Sequence, residues 1–264
     1  MRSSIPLYDA LADDYDAHFD VLHRWAYDEL SWAMATELLG APVAGRPVVD
    51  AGCGAGRWAE RLVELGHEVV GIEHSPGMSA AARKRGLGDR FTLIEGSMEE
   101  VEPSGRPVGA VLAMGSLQYT HDPVATLGRF ASWLEPGGLV AVLVDSLGSL
   151  VVELARSARP DEAEARRVSR RGVWSAEGQV ADLHLFDRDS LAAAMSAAGL
   201  VDVEVRGLLC GWTVFGRDRL FEDLAERPAE TLDREAAWSR EPALVDMGKQ
   251  LLGLGRAPER SASV

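Results

Sequence analysis

Residues 50–58 read Asp-Ala-Gly-Cys-Gly-Ala-Gly-Arg-Trp, and the architecture of the chain can be worked out from this stretch. It joins an apolar run at residues 47–51, which predicts a buried strand, to a helical pattern at residues 57–65 that stops at Gly66. Glycines at alternate positions allow a tight turn and let a ligand approach where any Cβ would collide. A loop between a strand and a helix also places free N–H groups beside that ligand. The spacing is not the dinucleotide fingerprint, which needs two residues between its second and third glycines.

On both sides of this loop, short apolar runs alternate with helical patterns. Strands are predicted at residues 47–51, 68–72, 91–94, 108–114, 139–144, 201–205 and 250–254. Helices are predicted at residues 57–65, 78–85, 122–134, 149–171, 186–198 and most of 220–246. Alternation of this kind is typical of βα units and a parallel sheet. The predicted fold class is therefore α/β, with a doubly wound, mostly parallel, seven-stranded sheet and helical lid insertions.

The composition limits the classes of partner. The chain has 264 residues, and 27 Lys and Arg against 41 Asp and Glu give a net charge of −14 at pH 7. This balance disfavours the phosphate-neutralising surface of most duplex-binding proteins and also an anionic membrane surface. No apolar run approaches the roughly 20 residues of a membrane helix, and no N-terminal signal is visible. With two cysteines only, Cys53 and Cys210, we expect a cytoplasmic protein without a disulfide framework.

The glycine loop has the pattern acidic-x-Gly-x-Gly-x-Gly, and Glu73 closes the second predicted strand. Together these features resemble the class I S-adenosylmethionine-dependent methyltransferases, which have a Rossmann-like fold. The resemblance implies that the loop supports the methionine part of S-adenosyl-L-methionine and that Glu73 binds the ribose hydroxyls. It also implies three regions: N-terminal lid helices at residues 1–40, the cofactor-binding domain at residues 41–256 with insertions near 147–178 and 217–247, and a disordered tail at residues 257–264.

Later segments continue the resemblance in the same order. Residues 96–98 resemble the adenine-contacting loop, although relatives commonly carry Asp in place of Ser97. Residues 114–119 resemble the segment beside the sulfonium and the acceptor, and residues 134–138 the turn before the fifth strand. Ala110 departs from the pattern, since many relatives have an acid there. The cofactor-binding residues predicted on this basis are Asp50, Gly52, Gly54, Gly56, Arg57, Glu73, His74, Met78, Ser97, Met98, Met114 and Gly115.

Candidate catalytic residues follow from the chemistry of methyl transfer, in which the protein mainly aligns the reactants and excludes water. A general base helps when the acceptor is a hydroxyl or a protonated amine. His121 is the first candidate, against the alternative of a helix-capping or surface histidine; His184 is the second, against a strand residue that faces solvent. Tyr15 lies in a segment similar to the family's lead-in helix, and simple helix packing is its alternative.

Aromatic residues are the candidates for contact with the acceptor. Tyr8, Tyr119, Trp174 and Phe186 are predicted to bind it, and Trp25 and Trp212 are further candidates for the pocket wall, although such aromatics are often ordinary core. Cys53 lies between glycines without a nearby base, which favours packing over nucleophilic chemistry. The six histidines show no spacing that indicates a metal site.

Three functions are compatible with these observations. The first is a methyltransferase acting on O, N or C of a small molecule, plausible in secondary-metabolite biosynthesis. The second is a tRNA-modifying methyltransferase, because the C-terminal segment from Arg240 through Leu251 distantly resembles the end of some such enzymes. One local feature favours it, the cluster Arg156, Arg159, Arg166, Arg167, Arg170 and Arg171. The third is a non-catalytic cofactor-binding or scaffold protein, since fold alone does not prove chemistry. The expected partner is a small-molecule acceptor rather than nucleic acid or membrane, with monomer or homodimer left open.

Overall fold

The computed structural model describes residues 1–103 and 107–259. Its strands are β1 (Val48–Ala51), β2 (Val69–Glu73), β3 (Phe91–Glu95), β4 (Val108–Met114), β5 (Leu134–Asp145), β6 (Arg171–Ala176), β7 (Gln179–His184), β8 (Val201–Leu208) and β9 (Gln250–Arg256). Its α-helices are α1 (Ile5–Leu11), α2 (Leu22–Leu39), α3 (Arg57–Glu64), α4 (Pro76–Lys84), α5 (Pro123–Trp133), α6 (Leu147–Arg156), α7 (Pro160–Ser169), α8 (Arg188–Ala197), α9 (Gly211–Val214), α10 (Arg217–Glu226) and α11 (Pro228–Trp238). None of these helices is both long enough and apolar enough to cross a membrane.

The main sheet has seven strands in the order β3-β2-β1-β4-β5-β9-β8, which confirms the predicted fold class. Strands β1 to β5 are parallel, and β9 runs antiparallel between β5 and β8. The chain progresses from β1 outwards to β3 and then returns to place β4 on the other side of β1. In open α/β sheets, ligands bind at the carboxyl ends of the strands where the order reverses. The edge formed by β1 and β4 is therefore where a site is expected.

Both faces of the sheet are covered. Along β5, Leu139, Ala141 and Leu143 belong to a core formed with α2, α3 and α10, whereas Val140 and Val142 belong to a core formed with α5 and α8. This division follows from the alternation of side chains along a strand. The most apolar predicted strand, β5, is thus covered on both faces. Helix α2, although part of the N-terminal region, contributes to the core.

The insertion near residues 147–178 differs from the continuous helix predicted at residues 149–171. It consists of α6, α7 and a hairpin, in which β6 and β7 pair antiparallel. Glu177 and Gly178 join the two strands with positive φ angles of 50° and 71°, as a two-residue type I′ turn requires. The helical prediction missed this hairpin because buried and exposed side chains do not alternate regularly along β6. The strand packs against its neighbours in the lid rather than in the main sheet.

The C-terminal end of the described chain is held in place by pairing. The predicted disordered tail begins at residue 257, but Ala257 is buried and its N–H donates to the Gly138 carbonyl at 2.9 Å. Ala257 thereby extends the contacts of β9 beyond Arg256. Residues 260–264 of the predicted tail lie outside the described residues.

Asp28 connects the N-terminal region to the sheet. Its buried carboxylate on α2 accepts hydrogen bonds from Arg57 Nη2 at 3.0 Å, Trp58 Nε1 at 3.1 Å and Arg61 Nη1 at 3.4 Å. The three donors all belong to α3, which begins directly after the glycine loop. One carboxylate therefore fixes the start of α3 against α2.

We expect Asp28→Ala to lower the free energy of unfolding by about 1.5–3 kcal/mol, because hydrogen bonds to a charged group are lost and buried donors are left unpaired. Urea denaturation at pH 7 measures the change. The matched control is Glu29→Ala, which removes the neighbouring, more exposed carboxylate that pairs with Arg61 at 3.1 Å and should change stability by less than about 0.5 kcal/mol. Equal losses in the two variants would contradict the assigned role of Asp28.

Candidate active site

Two adjoining cavities open at the carboxyl ends of β1, β2 and β4. The smaller cavity has an empty volume of about 600 Å³ and the larger one about 1320 Å³, each including its open mouth. Residues of both walls come from the N-terminal region, the glycine loop and the end of β4. The residues shared by the two walls are Tyr8, Tyr15, Gly52, Gly54, Met114, Gly115 and Tyr119.

The glycine loop is packed against the end of β4. Gly52 has φ +78°, and a Cβ built there would lie 2.4 Å from Ser116 Cβ, which no side chain can accommodate. Ser116 Oγ in turn donates to the Ala51 carbonyl at 2.5 Å. Gly54 has φ +54°, and the nearest atom to its built Cβ is Tyr15 Cε1 at 3.7 Å. Gly52 is therefore required by packing, whereas Gly54 leaves space on the cavity side.

Glu73 lies at the end of β2 in the wall of the smaller cavity and is only 6 % exposed. Its Oε2 accepts from the Gly54 N–H at 2.9 Å and its Oε1 from the Ser75 N–H at 2.7 Å. Each carboxylate oxygen has further acceptor capacity. The carboxylate is thus held in one orientation and can still accept hydrogen bonds from a diol.

Asp50 lies below the glycine loop, in the wall of the larger cavity. It is 3 % exposed, and its Oδ2 has no hydrogen-bond partner among the described residues. Burial, with a smaller contribution from the nearby Glu73 carboxylate, raises the pKa of Asp50 from 3.8 to about 7. A buried carboxylate without a partner favours a cationic ligand, which would restore the lost interaction.

The structure brings most of the predicted cofactor residues together. Glu73, His74, Ser97 and Met98 line the smaller cavity, Asp50 and Arg57 line the larger one, and Gly52, Gly54, Met114 and Gly115 line both. Two predicted residues lie elsewhere. Gly56 precedes α3 with φ +82°, so its role is to start the helix. Met78 is fully buried among Leu7, Leu11 and Ala55, because the helix face that carries it packs against α1.

Tyr15, the predicted catalytic tyrosine, and Tyr8, Tyr119 and Trp174, the predicted acceptor contacts, all line the cavities. The Tyr8 ring lies 5.7 Å from that of Tyr119 and 5.5 Å from that of Trp174. Burial raises the pKa of Tyr15 to about 12 and also raises those of Tyr8 and Tyr119. These phenols keep their protons near neutral pH and can serve as hydrogen-bond donors rather than bases.

Both predicted histidine bases lie outside the cavity walls. His121 is exposed and lies in neither cavity wall, and its backbone N–H donates to Glu99 Oε1 at 2.9 Å. His184 lies behind the wall of the smaller cavity, with Nε2 3.1 Å from the Thr120 carbonyl and 2.9 Å from Arg171 Nη1. Burial and the Arg171 charge lower the pKa of His184. Neither position gives access to an acceptor in the cavities.

The other predicted acceptor contact, Phe186, is a core residue. It is 7 % exposed and belongs to the core cluster that contains α5 and α8, since its backbone bridges to Ser146 and Leu147 beside β5. Trp25 and Trp212 belong to the opposite core cluster and do not line either cavity. Among the described residues, no group of three His, Cys, Asp or Glu lies close enough to hold a metal ion.

Sequence reasoning missed a polar group at the far end of the larger cavity. Its members come from α2, from the segment after β4 and from the junctions around β5 and β9. They are His23, Arg24, Tyr27, Gln118, Asp145, Lys249 and Gln250. Asp145 could have been found, because it directly follows the most apolar predicted strand. The others carry no local motif and meet only through the sheet order.

Residues 48–138 match the family of methyltransferase domains. The ubiquinone biosynthesis O-methyltransferase of Azorhizobium caulinodans is 27% identical over 64% of this chain and 64% of its own length. The Bradyrhizobium protein of the same name is 36% identical over 38% of this chain and 40% of its own. The solved S-adenosylmethionine-dependent methyltransferase of Mesorhizobium loti covers 86% of this chain and 97% of its own, with 18% identity and a TM-score of 0.56.

Sheet order, glycine loop and buried strand-end acid together define an α/β protein that binds a nucleoside cofactor at its switch point. With the domain match at residues 48–138 and the shared fold, the chain carries a methyltransferase domain of the Rossmann-like, S-adenosylmethionine-dependent type. It spans less than two thirds of the length of the curated relatives quoted above.

The residues present fit S-adenosylmethionine. Glu73 offers a fixed carboxylate for the ribose hydroxyls, and Met98 and Ser97 line the same smaller cavity, where an adenine ring would lie. Asp50 Oδ2, which has no hydrogen-bond partner among the described residues, offers a negative charge to the cationic end of the cofactor. A built Cβ at Gly54 would enter space that is otherwise open on the cavity side.

We expect Gly54→Val to weaken S-adenosylmethionine binding by roughly 10- to 100-fold, the equivalent of about 1–3 kcal/mol of steric overpacking. Calorimetry measures the dissociation constant. The control is Gly45→Val, which imposes the same backbone strain at φ +75° but has no atom within 4 Å of its built Cβ. If both variants bind the cofactor as the wild type does, the glycine loop is not the binding site.

Asp50→Asn is expected to stabilise the ligand-free protein at pH 8 and to lose that advantage as the pH falls towards 5. The pKa of Asp50 is about 7 in the fold and 3.8 without it, so the folded state binds more protons between those values and wild-type stability falls as the pH rises through this window. Urea denaturation at both pH values checks the sign. An advantage of Asn that is equal at pH 5 and pH 8 would contradict it.

Proposed function

We propose that the protein transfers the methyl group of S-adenosylmethionine to a nucleophilic O, N or C atom of a small molecule bound in the larger cavity. The single observation that carries this proposal is the larger cavity itself. It adjoins the cofactor cavity through seven shared wall residues, and aromatic side chains, among them Tyr27, Tyr119 and Trp174, contribute to its wall. A cavity with such a wall suits a planar acceptor of modest size better than a folded polymer.

The N-terminal region and the hairpin close over this space. Asp9 on α1 accepts from Ser75 Oγ at 2.5 Å and from the Gly77 N–H at 2.9 Å, at the start of α4. Asp16 pairs with Arg85 at 2.6 Å, and Arg2 pairs with Asp182 of β7 at 2.6 Å. These contacts hold residues 1–20 and the β6–β7 hairpin, together called the lid, above the two cavities.

The chain's own contribution to the reaction is alignment and exclusion of water. When bound, S-adenosylmethionine supplies an electrophilic methyl group on a sulfonium. Glu73 and the glycine loop orient the cofactor, and the end of β4, at Met114 and Gly115, separates the cofactor from the acceptor side. Tyr8, Tyr119 and Trp174 exclude water from the space between them.

The names of the relatives favour oxygen as the acceptor atom, because two of them are O-methyltransferases of ubiquinone biosynthesis. The aromatic wall is compatible with a ring-bearing acceptor. We propose an aromatic secondary metabolite as the acceptor class.

The arginines that favoured a tRNA acceptor are engaged within the chain. Arg159 and Arg166 pair with Glu162, Arg167 pairs with Glu164, and Arg170 pairs with Asp187. Arg156 donates to the Thr213 carbonyl, and Arg171 lies beside His184. Since their charges are largely compensated, this cluster supports a structural role rather than a phosphate-binding surface.

We expect the purified protein to move tritium from methyl-labelled S-adenosylmethionine into a low-molecular-weight product when incubated with a metabolite extract or with catechol, 4-hydroxybenzoate or tyramine. The rate should change less than about twofold between 50 and 200 mM salt, whereas an RNA acceptor held by several phosphate contacts would lose roughly 10³-fold. Bulk tRNA is the control acceptor. Tight cofactor binding without any labelled product would support the non-catalytic alternative instead.

A further inference from the structure

We propose that Asp145 is the general base of the reaction and takes the proton of the acceptor's hydroxyl or ammonium group. This inference rests on the proposed function and adds to it an acceptor whose nucleophilic atom carries a proton. Asp145 is the last residue of β5 and lines the larger cavity but not the smaller one. Under the proposed function it therefore lines the cavity that holds the acceptor.

Register places Asp145 next to the methyl-donor region. Met114 of β4 pairs with Leu143 of β5, so Asp145 lies two residues further towards the carboxyl edge on the adjacent strand. Met114 and the following Gly115 line both cavities. Neighbouring strands lie about 4.8 Å apart, which puts the carboxylate close to the boundary between cofactor and acceptor.

The surroundings of Asp145 fix its orientation. Its N–H donates to Gln118 Oε1 at 2.6 Å, and Gln118 Nε2 lies 3.4 Å from its Oδ2. The Asp145 carbonyl accepts from the Phe186 N–H at 3.3 Å. Gln250, directly opposite in the β5–β9 register, contributes a side-chain hydrogen bond. The carboxylate itself is contacted by two neutral side chains, Gln118 and Gln250, and no cation among the described residues forms an ion pair with it.

The charges that face Asp145 come from each element packed against it. Arg24 and Tyr27 belong to α2, Tyr119 to the segment after β4, and Lys249 to the start of β9. Burial raises the pKa of Asp145, while Lys249 and Arg24 act in the opposite direction. The net increase makes this carboxylate a stronger base than one in water.

The other titratable groups of the larger cavity are less suitable. Asp28 is occupied by three donors of α3, and Asp50 lies below the glycine loop beside Glu73. His23 also lines the cavity, but burial and the charges of Arg24, Arg217 and Lys249 lower its pKa to about 4. If His23 took up the acceptor's proton, it would become a cation beside Arg24 and Lys249, whereas Asp145 would become neutral. Asp145 is therefore the better base at this position.

The step balances in atoms and electrons. A lone pair of the acceptor's oxygen or nitrogen forms a bond to the methyl carbon, and the carbon–sulfur bond breaks with its electron pair returning to sulfur. The products are the methylated acceptor and the neutral thioether, S-adenosylhomocysteine. The acceptor's proton passes to Asp145, which becomes a carboxylic acid and later returns the proton to solvent.

The test compares Asp145→Asn with the wild type at saturating S-adenosylmethionine, using whichever of catechol, 4-hydroxybenzoate and tyramine the wild type methylates. We expect kcat to fall by roughly 10²–10⁴, with an unchanged dissociation constant for the cofactor by calorimetry. The wild-type rate should rise with pH to a plateau as Asp145 ionises, and the variant should lose this dependence. The charge-matched control is Glu164→Gln, which removes an exposed carboxylate outside the cavity walls and should leave kcat within about twofold.

A second measurement does not depend on turnover. 4-Nitrophenol is added to the protein saturated with S-adenosylhomocysteine, and the absorbance of its phenolate is followed against pH. An ionised Asp145 favours the neutral phenol, so the bound probe should ionise at lower pH in Asp145→Asn than in the wild type.

Normal kcat in Asp145→Asn, or an identical probe titration in both proteins, would overturn the assignment of Asp145 and leave the proposed function intact. Loss of the pH dependence in His23→Gln but not in Asp145→Asn would do the same and identify His23 as the base. No labelled product from the wild type with any acceptor would overturn the proposed function, and the inference with it.

Discussion

The Glu73 carboxylate is the group on which the organisation of the site depends. Its two oxygens accept backbone N–H groups from Gly54 and Ser75, which joins the glycine loop after β1 to the start of α4 after β2. Ser75 Oγ accepts from the Met78 N–H and donates to Asp9, so the same network reaches the lid. Charge-assisted hydrogen bonds of this kind are about twice as strong as neutral ones. A single buried acid thereby connects sheet, cofactor loop and lid.

Charges of both signs line the two cavities. Asp50 and Glu73, at the ends of β1 and β2, have no cationic partner among the described residues and suit a cationic cofactor. The larger cavity also has Arg24 and Lys249 in its wall, together with Asp145. Sites that separate opposite charges in this way orient a polar ligand before reaction and do not need to reorganise during it.

Much of the fold follows from local pattern, because β1 to β5 are short apolar runs bounded by turns. The bounds of β1 to β4 lie within two residues of the predicted ones, whereas β5 starts earlier than predicted, at Leu134. The strand-end residues predicted to bind the cofactor lie along one edge of the sheet, since parallel strands bring their carboxyl ends together there. The β6–β7 hairpin was missed because its strands pack on the lid instead of the main sheet. Met78 and Phe186 were misplaced, since a helix or strand pattern does not reveal which neighbour covers a given face.

The sequence alone determined the class of the protein: glycine spacing and strand-end acids require a particular backbone turn and a particular ligand chemistry, and both are local properties. Tertiary structure decided which residues line the larger cavity. His121 follows a cavity-lining segment in sequence yet is exposed and lies in neither wall. Asp145, Arg24 and Lys249 are each more than 100 residues apart in sequence and share one cavity. Such a grouping depends on strand order and on the packing of α2 against the sheet, which no local pattern encodes.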